Sequence, residues 1–353
     1  MNNMEAIPEK MFGVYLKGHG DESQLEYRED IPVPSIGDHE VLIKVSAAGV
    51  NNTDINTRIA WYSKGEGEAE DASWSGEALK FPRIQGADVC GHIVGIGKAI
   101  NERRLGERII IEPSLQQVNG EALEHAWYFG SECDGGFAQY TKVDGRHAFA
   151  VHTEMTDQEL ASFPCSYSTA ENLLTRAQVT AQDTVLITGA SGGVGSAAVQ
   201  LAKARGAKVI AVVGAAKAQD LLNLGADQVI HRGNSLTEAI GHSSVEVVID
   251  LVAGPAFAEI LEILKPKGRY AVAGAIGGAE VPMDIRTVYL KDLSLFGCTV
   301  LEPEVFPNLV RVIESGLIKG LVAETFALKD ITKAQEVFQQ KQHIGKLVIN
   351  MNL

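Results

Sequence analysis

The sequence is poor in cysteine, and the placement of its four cysteines excludes more than their number does. Cys90, Cys133, Cys165 and Cys298 lie far apart and none belongs to a Cys-x-x-Cys pair, so neither a disulfide framework nor a thiolate zinc site is expected. Positive charge is also short. Against 45 Asp and Glu stand 31 Lys and Arg, a formal net charge of −14. So acidic a surface repels phosphate backbones and anionic lipid, which argues against nucleic acid or membrane as partners. A phosphate-bearing ligand would then need a locally basic or amide-lined pocket. No apolar run approaches the length of a membrane span, and Met1 to Lys10 is polar, without an apolar signal core. Together these absences lead us to expect a cytoplasmic protein with reduced thiols. The length suits two domains, each with its own core.

From about Met11 to Ala150 the chain reads as short strands separated by turns. Val41–Val45, His92–Ile96 and Arg108–Glu112 are rich in β-branched residues, and Gly37, Asp38, Gly95 and Gly97 punctuate them. A β-rich, barrel-like unit is expected. Ser63–Lys80 and Ser114–Gly136 read as long loops, either solvated insertions or covers for a substrate. Near Thr156 the rhythm changes. Apolar strands at Thr184–Thr188, Lys208–Val213, Gln228–Ile230, Val245–Asp250, Arg269–Ala273 and Leu293–Phe296 alternate with helical patterns, the signature of a parallel sheet covered on both faces. The expected fold class is therefore α/β, a β-rich domain joined to a doubly wound parallel sheet. Two helical stretches and a last strand, Lys346–Ile349, are expected to return the chain to the first domain. The expected boundaries are 1–155 with 300–353 for the β-rich domain and 156–299 for the parallel-sheet domain.

The strongest signal is Thr188-Gly-Ala-Ser-Gly-Gly-Val-Gly-Ser196, preceded by a buried strand and followed by the helical pattern Val194–Arg205. This is the context a dinucleotide fingerprint requires. Gly189 makes the turn out of the strand, Gly192 lets the backbone approach a pyrophosphate, and Gly195 lets the helix pack on the sheet. The amides around Ser191, Gly193 and Val194, at a helix N-terminus, suit phosphate. An NAD site usually carries Asp or Glu at the end of the second strand. Here that strand ends Val212-Val213-Gly214, with no acid before Asp220, and Lys217 follows. Missing repulsion and an added cation favour a 2′-phosphate, hence NADPH, read by Lys217 or by Arg232 after the third strand.

Several runs then carry a resemblance. Ala48-Gly-Val-Asn-Asn-Thr-Asp54, Gly86-Ala-Asp-Val-Cys-Gly91, Gly135-Gly-Phe-Ala-Gln-Tyr140, the glycine loop and a closing Gly345-Lys-Leu-Val occur in order across nearly the whole chain. The sequence thus resembles the zinc-independent, quinone oxidoreductase-like branch of the medium-chain dehydrogenases. The resemblance implies a GroES-like catalytic domain, a Rossmann domain and a cleft between them. It also implies at least a dimer, a homodimer or dimer of dimers. At the positions where the zinc branch keeps its catalytic ligands stand Asn51, Ala87 and Cys165, so no metal is expected. Asn51 and Tyr62 match residues that line the cleft and are the candidate donors to a substrate carbonyl, while another family tyrosine position appears as Asn56. Thr169 matches a residue beside the nicotinamide, and Gly274 and Lys346 are counted with the cofactor. Asp54 and Arg58 form an alternative, structural ion pair. The expected activity is NADPH-linked reduction of a small quinone, enone or related carbonyl. Alcohol dehydrogenation, enoyl-thioester reduction and non-catalytic NADPH binding are the alternatives.

Overall fold

The computed structural model describes residues 6–63 and 73–353. Half of the Ser63–Lys80 loop expectation falls on residues 64–72, which lie outside the described residues. Along the chain run β1 (Lys10–Leu16), β2 (Leu25–Pro32), β3 (Glu40–Gly49), β4 (Asp88–Ile96), β5 (Arg108–Ile111), β6 (Ser114–Val118), β7 (Glu121–Tyr128), β8 (Tyr140–Asp144) and β9 (Ala148–Ala150). Then follow β10 (Thr184–Ile187), β11 (Lys208–Val213), β12 (Gln228–His231), β13 (Val245–Asp250), β14 (Leu264–Val272) and β15 (Ser294–Gly297). β16 (Val322–Ala327) and β17 (Lys346–Asn350) end the series.

The chain divides into two compact units. The first holds the residues up to Cys165 together with Gly320–Leu353, and the second holds Ser166–Lys319. Residues 156–165 thus fold with the first unit and residues 300–319, including the helix Val305–Glu314, with the second. The reading of 300–353 as a single returning tail places that boundary about twenty residues too early. An amphipathic helix shows only that one face must be buried, not which sheet buries it.

The first unit is built on the strand order β16-β17-β3-β4-β5-β9, with β8 also paired to β3. Its core is aliphatic and aromatic: Val41, Ile43, Val89, Ile93, Ile109, Ile111, Phe129, Phe137 and Leu347 are among its buried members. Register here sets the chemistry. Gly49, at the end of β3, lies opposite Asp88 of β4 on one side and Val348 of β17 on the other. Strands that start near Asp88 and Lys346 are therefore brought to either side of the segment that leaves β3 at Asn51.

Ser114–Gly136, read as a long loop, instead begins as a hairpin of β6 and β7. Its tip, Asn119-Gly120, has φ of 47° and 85°, the double positive φ of a two-residue turn whose twist matches the strands. The Asn119 side-chain oxygen accepts from His39 N–H at 3.0 Å, and Gly120 N–H donates to Asp144 at 2.7 Å.

The second unit is a parallel sheet of order β12-β11-β10-β13-β14-β15. The order reverses between β10 and β13, the switch point where open α/β sheets bind ligands. Leu186, Ile210, Ile230, Val248, Ile260 and Tyr270 form its core.

Candidate functional site

In the second unit the loops at the carboxyl ends of the strands converge. Gly189 has φ of +58°, so the sharp exit from β10 requires glycine. A Cβ on Gly195 would lie 2.2 Å from Gly189 O and 2.6 Å from Ala190 Cα, so the helix Gly193–Ala204 approaches the loop as closely as backbone allows. Gly192 is the N-cap and supplies no side-chain cap. The amides of Gly193, Val194 and Gly195 have no carbonyl one turn earlier within that helix, which leaves a donor set suited to an anion. Ser191 and Gly193 are half-buried beside them.

Behind this loop Asp250 acts as a brace. It accepts from Thr188 Oγ1 and from Tyr270 O–H (2.7 Å), and from Val252 and Ala253 N–H at 2.9 and 3.0 Å. This fully buried carboxylate fixes the turn after β13 against the strand that carries the glycine loop. Gly274, in the turn after β14, faces Leu251 so closely that a Cβ would meet its carbonyl at 2.7 Å. At the end of β11, Gly214 lies beside Arg232, and burial followed by the Arg232 charge lowers the pKa of Lys217. Two cations that influence each other thus lie next to Gly214. Thr169 sits on the helix Pro164–Arg176.

A second cluster lies in the first unit. Lys346, buried to 4% exposure, contacts Asp88 Oδ2 at 3.0 Å and donates a short hydrogen bond to Asn51 Oδ1. Asn51 Nδ2 donates to Asp88 Oδ2 at 2.9 Å and more weakly to Gly49 O at 3.4 Å. Asp88 Oδ1 accepts from Cys165 N–H at 2.5 Å. Gly49 must be glycine, since a Cβ there would lie 2.5 Å from Asp88 Oδ2 and 2.7 Å from Ala161 O. Asp54 caps the helix Asn52–Arg58, accepting from Asn51 N–H at 2.7 Å and Gly86 N–H at 3.2 Å.

This arrangement corrects two expectations and locates a third residue. The amide hydrogens of Asn51 are directed at Asp88 and Gly49, so they are not presented to a substrate carbonyl. Lys346, expected at the cofactor, is engaged by two side chains of its own unit. Asp54 and Arg58 are not an ion pair: Arg58 donates to Glu22, Gly20 O and Gln335. Tyr62 donates to Thr53 Oγ1 over a long 3.4 Å, and burial raises its pKa, so it remains an O–H donor at neutral pH. Sequence reasoning missed Tyr128, whose O–H reaches Cys165 Sγ at 2.9 Å and whose ring packs against Trp74 at 4.8 Å between centroids. Glu132 fastens both loops by accepting from Ser75 and Tyr128 N–H, each at 2.7 Å. The Asn119-Gly120 dipeptide was the available signal, because a hairpin centred there runs β7 as far as Tyr128. Burial, chiefly, pushes the Cys165 thiol up to about 12, which disfavours the thiolate form.

Burial also pushes the Asp54 carboxyl up from 3.8 to about 7. A carboxyl whose folded pKa exceeds its unfolded one holds its proton more tightly when folded. Its contribution to stability is thus present below about pH 4 and lost as pH rises towards about 7. We expect the melting temperature of the parent minus that of Asp54→Asn to fall between about pH 4 and pH 7 in a calorimetric series. A difference that is flat, or that rises, would show that Asp54 is ionised throughout.

Both parts of the chain match known families. Residues 37–153 match the family model described as alcohol dehydrogenase GroES-like domain, and residues 193–315 match the one described as zinc-binding dehydrogenase. An acryloyl-coenzyme A reductase of Metallosphaera sedula is 29% identical over 96% of this chain and 99% of its own length. The quinone oxidoreductase of Homo sapiens is 27% identical over 94% of each. A solved structure described as a putative alcohol dehydrogenase from Sinorhizobium meliloti 1021 superposes with a TM-score of 0.89, at 42% identity and 98% coverage of both chains. On these matches, and on a GroES-like unit and a Rossmann sheet carrying the glycine loop, the chain belongs to the medium-chain dehydrogenase/reductase family of oxidoreductases.

Proposed function

We propose that the protein transfers hydride from NADPH to a small quinone, enone or related carbonyl, and does so without zinc. The observation that carries the reading is the pair of cations, Lys217 and Arg232, beside Gly214 where an NAD site would hold a carboxylate. When bound, NADPH supplies the hydride. The residues that would hold it are the loop Gly189–Gly195 for the pyrophosphate, Lys217 and Arg232 for the 2′-phosphate and Thr169 beside the nicotinamide, with Gly274 also counted with the cofactor. Tyr62, with its phenol kept protonated, is the donor assigned to the substrate oxygen as that atom gains charge. Asn51 ties Lys346 to Asp88 within the first unit.

A zinc ion does not fit the residues present. Asn51 has its oxygen on Lys346 and its nitrogen on Asp88, Ala87 offers no donor, and the buried Cys165 thiol resists ionisation. The purified protein should therefore contain no stoichiometric zinc and keep its activity in chelator. One zinc per chain by elemental analysis, lost together with activity, would refute this.

A panel of quinones, enals and enoyl thioesters, each assayed with NADPH and NADH, tests the main reading. Enoyl-thioester reduction is the second reading, favoured by the relatives named acryloyl-coenzyme A reductase. Bound NADPH with no turnover of any member would favour a non-catalytic role.

Assembly follows from an edge. β15 ends the strand order of its sheet, and Leu290 (72% exposed), Tyr289, Leu295 and Val300 form an apolar border around it. Pairing with a second copy would cover both the edge and the border. Light scattering at micromolar concentration should give at least twice the chain mass of 37.8 kDa, and a monomer mass would exclude the pairing.

A further inference from the structure

The buried cluster at the end of β3 brings two carboxyl groups and an amide together. Asp88 is fully buried, Asp54 is 2% exposed, and Asn51 contributes a carbonyl oxygen to the same region. Asp54 is satisfied locally, since its two oxygens accept from the amides of Asn51 and Gly86. Burial raises its pKa to about 7, so it carries only part of a charge near neutrality. Asp88 differs. It accepts from Cys165 N–H and Asn51 Nδ2, both uncharged donors, and from one cation, Lys346 Nζ at 3.0 Å. The same ammonium bonds to Asn51 Oδ1. A carboxylate oxygen and an amide oxygen facing one positive centre are acceptors of the kind a hard cation takes.

We propose that Lys346 is the built-in cation of this centre: its ammonium, held between Asp88 Oδ2 and Asn51 Oδ1, supplies the positive charge that a metal ion would otherwise bring and keeps metal out. This goes beyond the activity proposed above and does not depend on the substrate. Lys346 is a positioning residue, because it acts through the side chains of Asp88 and Asn51. Removing it leaves the Asp88 carboxylate without this counter-ion, while removing both charges leaves only Asp54, which takes up a proton more readily without Lys346. Asp88→Asn keeps the shape and can still accept from Cys165 N–H.

The test uses the full chain and chemical rescue. Lys346→Ala should lower the melting temperature by about 5 °C or more, as expected for a broken buried pair. Methylammonium chloride should restore at least half of that loss, with sodium chloride at equal ionic strength restoring much less, because only the amine replaces the missing donor. The double variant Asp88→Asn/Lys346→Ala should be more stable than Lys346→Ala alone and indifferent to methylammonium. Lys346→Arg should stay near the parent. Cobalt(II) added to the parent should give no ligand-field spectrum. If Lys346→Ala does not fold, recovery of folding in the double variant supports the proposal and continued failure overturns it. Equal rescue by the two salts, a double variant no more stable than Lys346→Ala, or stoichiometric cobalt(II) in the parent would each overturn it. None of these readouts is turnover, so a failed substrate panel leaves them interpretable.

Discussion

Gly195→Ala should cost about 100-fold or more in NADPH affinity, and the protein should also melt earlier. A single methyl has this effect because of what it meets. The added Cβ would lie 2.2 Å from Gly189 O and 2.6 Å from Ala190 Cα, and both are backbone atoms with no rotamer to change. Intrinsic propensity acts the other way: alanine in place of glycine within a helix is worth about 1 kcal/mol in its favour. Overpacking against fixed atoms costs typically 1–3 kcal/mol and displaces the first helical turn from the loop, while a hundredfold loss of affinity is about 2.7 kcal/mol, so the clash decides the sign. Gly192→Ala is the control. Its backbone has φ of −75°, and its Cβ would meet only Gly189 O at 3.4 Å. It should keep the parent melting temperature while weakening NADPH, because the methyl adds bulk to the loop proposed to hold the pyrophosphate without meeting protein atoms closer than 3.4 Å. Titration calorimetry with NADPH alongside thermal melts separates the two. Unchanged affinity in Gly195→Ala would mean that the cofactor does not use this loop.

Lys217→Glu should raise the KM for NADPH about tenfold or more and leave that for NADH nearly unchanged. A partly solvated charge pair is worth on the order of 1 kcal/mol, and reversing the sign turns that attraction into repulsion. One decade corresponds to about 1.4 kcal/mol. Burial and the neighbouring Arg232 already lower the pKa of Lys217, so the free protein disfavours two adjacent cations there. A 2′-phosphate would relieve that repulsion, and the relief adds to the discrimination against NADH. If Lys217→Glu prefers NADPH as strongly as the parent, Arg232 or the amides around Gly214 read the phosphate.

The two halves of the molecule differ in how far they can be read from sequence. The parallel sheet was legible because its information is local: each strand is a short apolar run, and the loop from Gly189 to Gly195 states its own geometry within seven residues. The first unit was legible as β-rich but not in its detail. Asn119-Gly120 carried a hairpin signal that the aromatic run Trp127-Tyr128-Phe129 obscured, since an apolar cluster without alternation reads as an irregular segment. The Asn51–Asp88–Lys346 cluster had no local signal at all. It exists because β4 and β17 both pair with β3 in a register that sets Asp88 and Val348 opposite Gly49, and register between strands so far apart in sequence is not written in any window of the chain. Asn51 was found by its place in a family run, which gave the position but not the direction of its hydrogens.

The same pairing bears on how the protein is made. Asn51 and Asp88 emerge from the ribosome early, whereas Lys346 emerges only after the whole second unit has been synthesised. Until β17 docks beside β3, the nascent first unit holds a carboxylate that cannot be buried without a counter-charge, so its sheet stays open at that edge. A chain cut short before Lys346 would keep an unfinished strand edge beside β3, the feature that makes an incomplete product prone to aggregate.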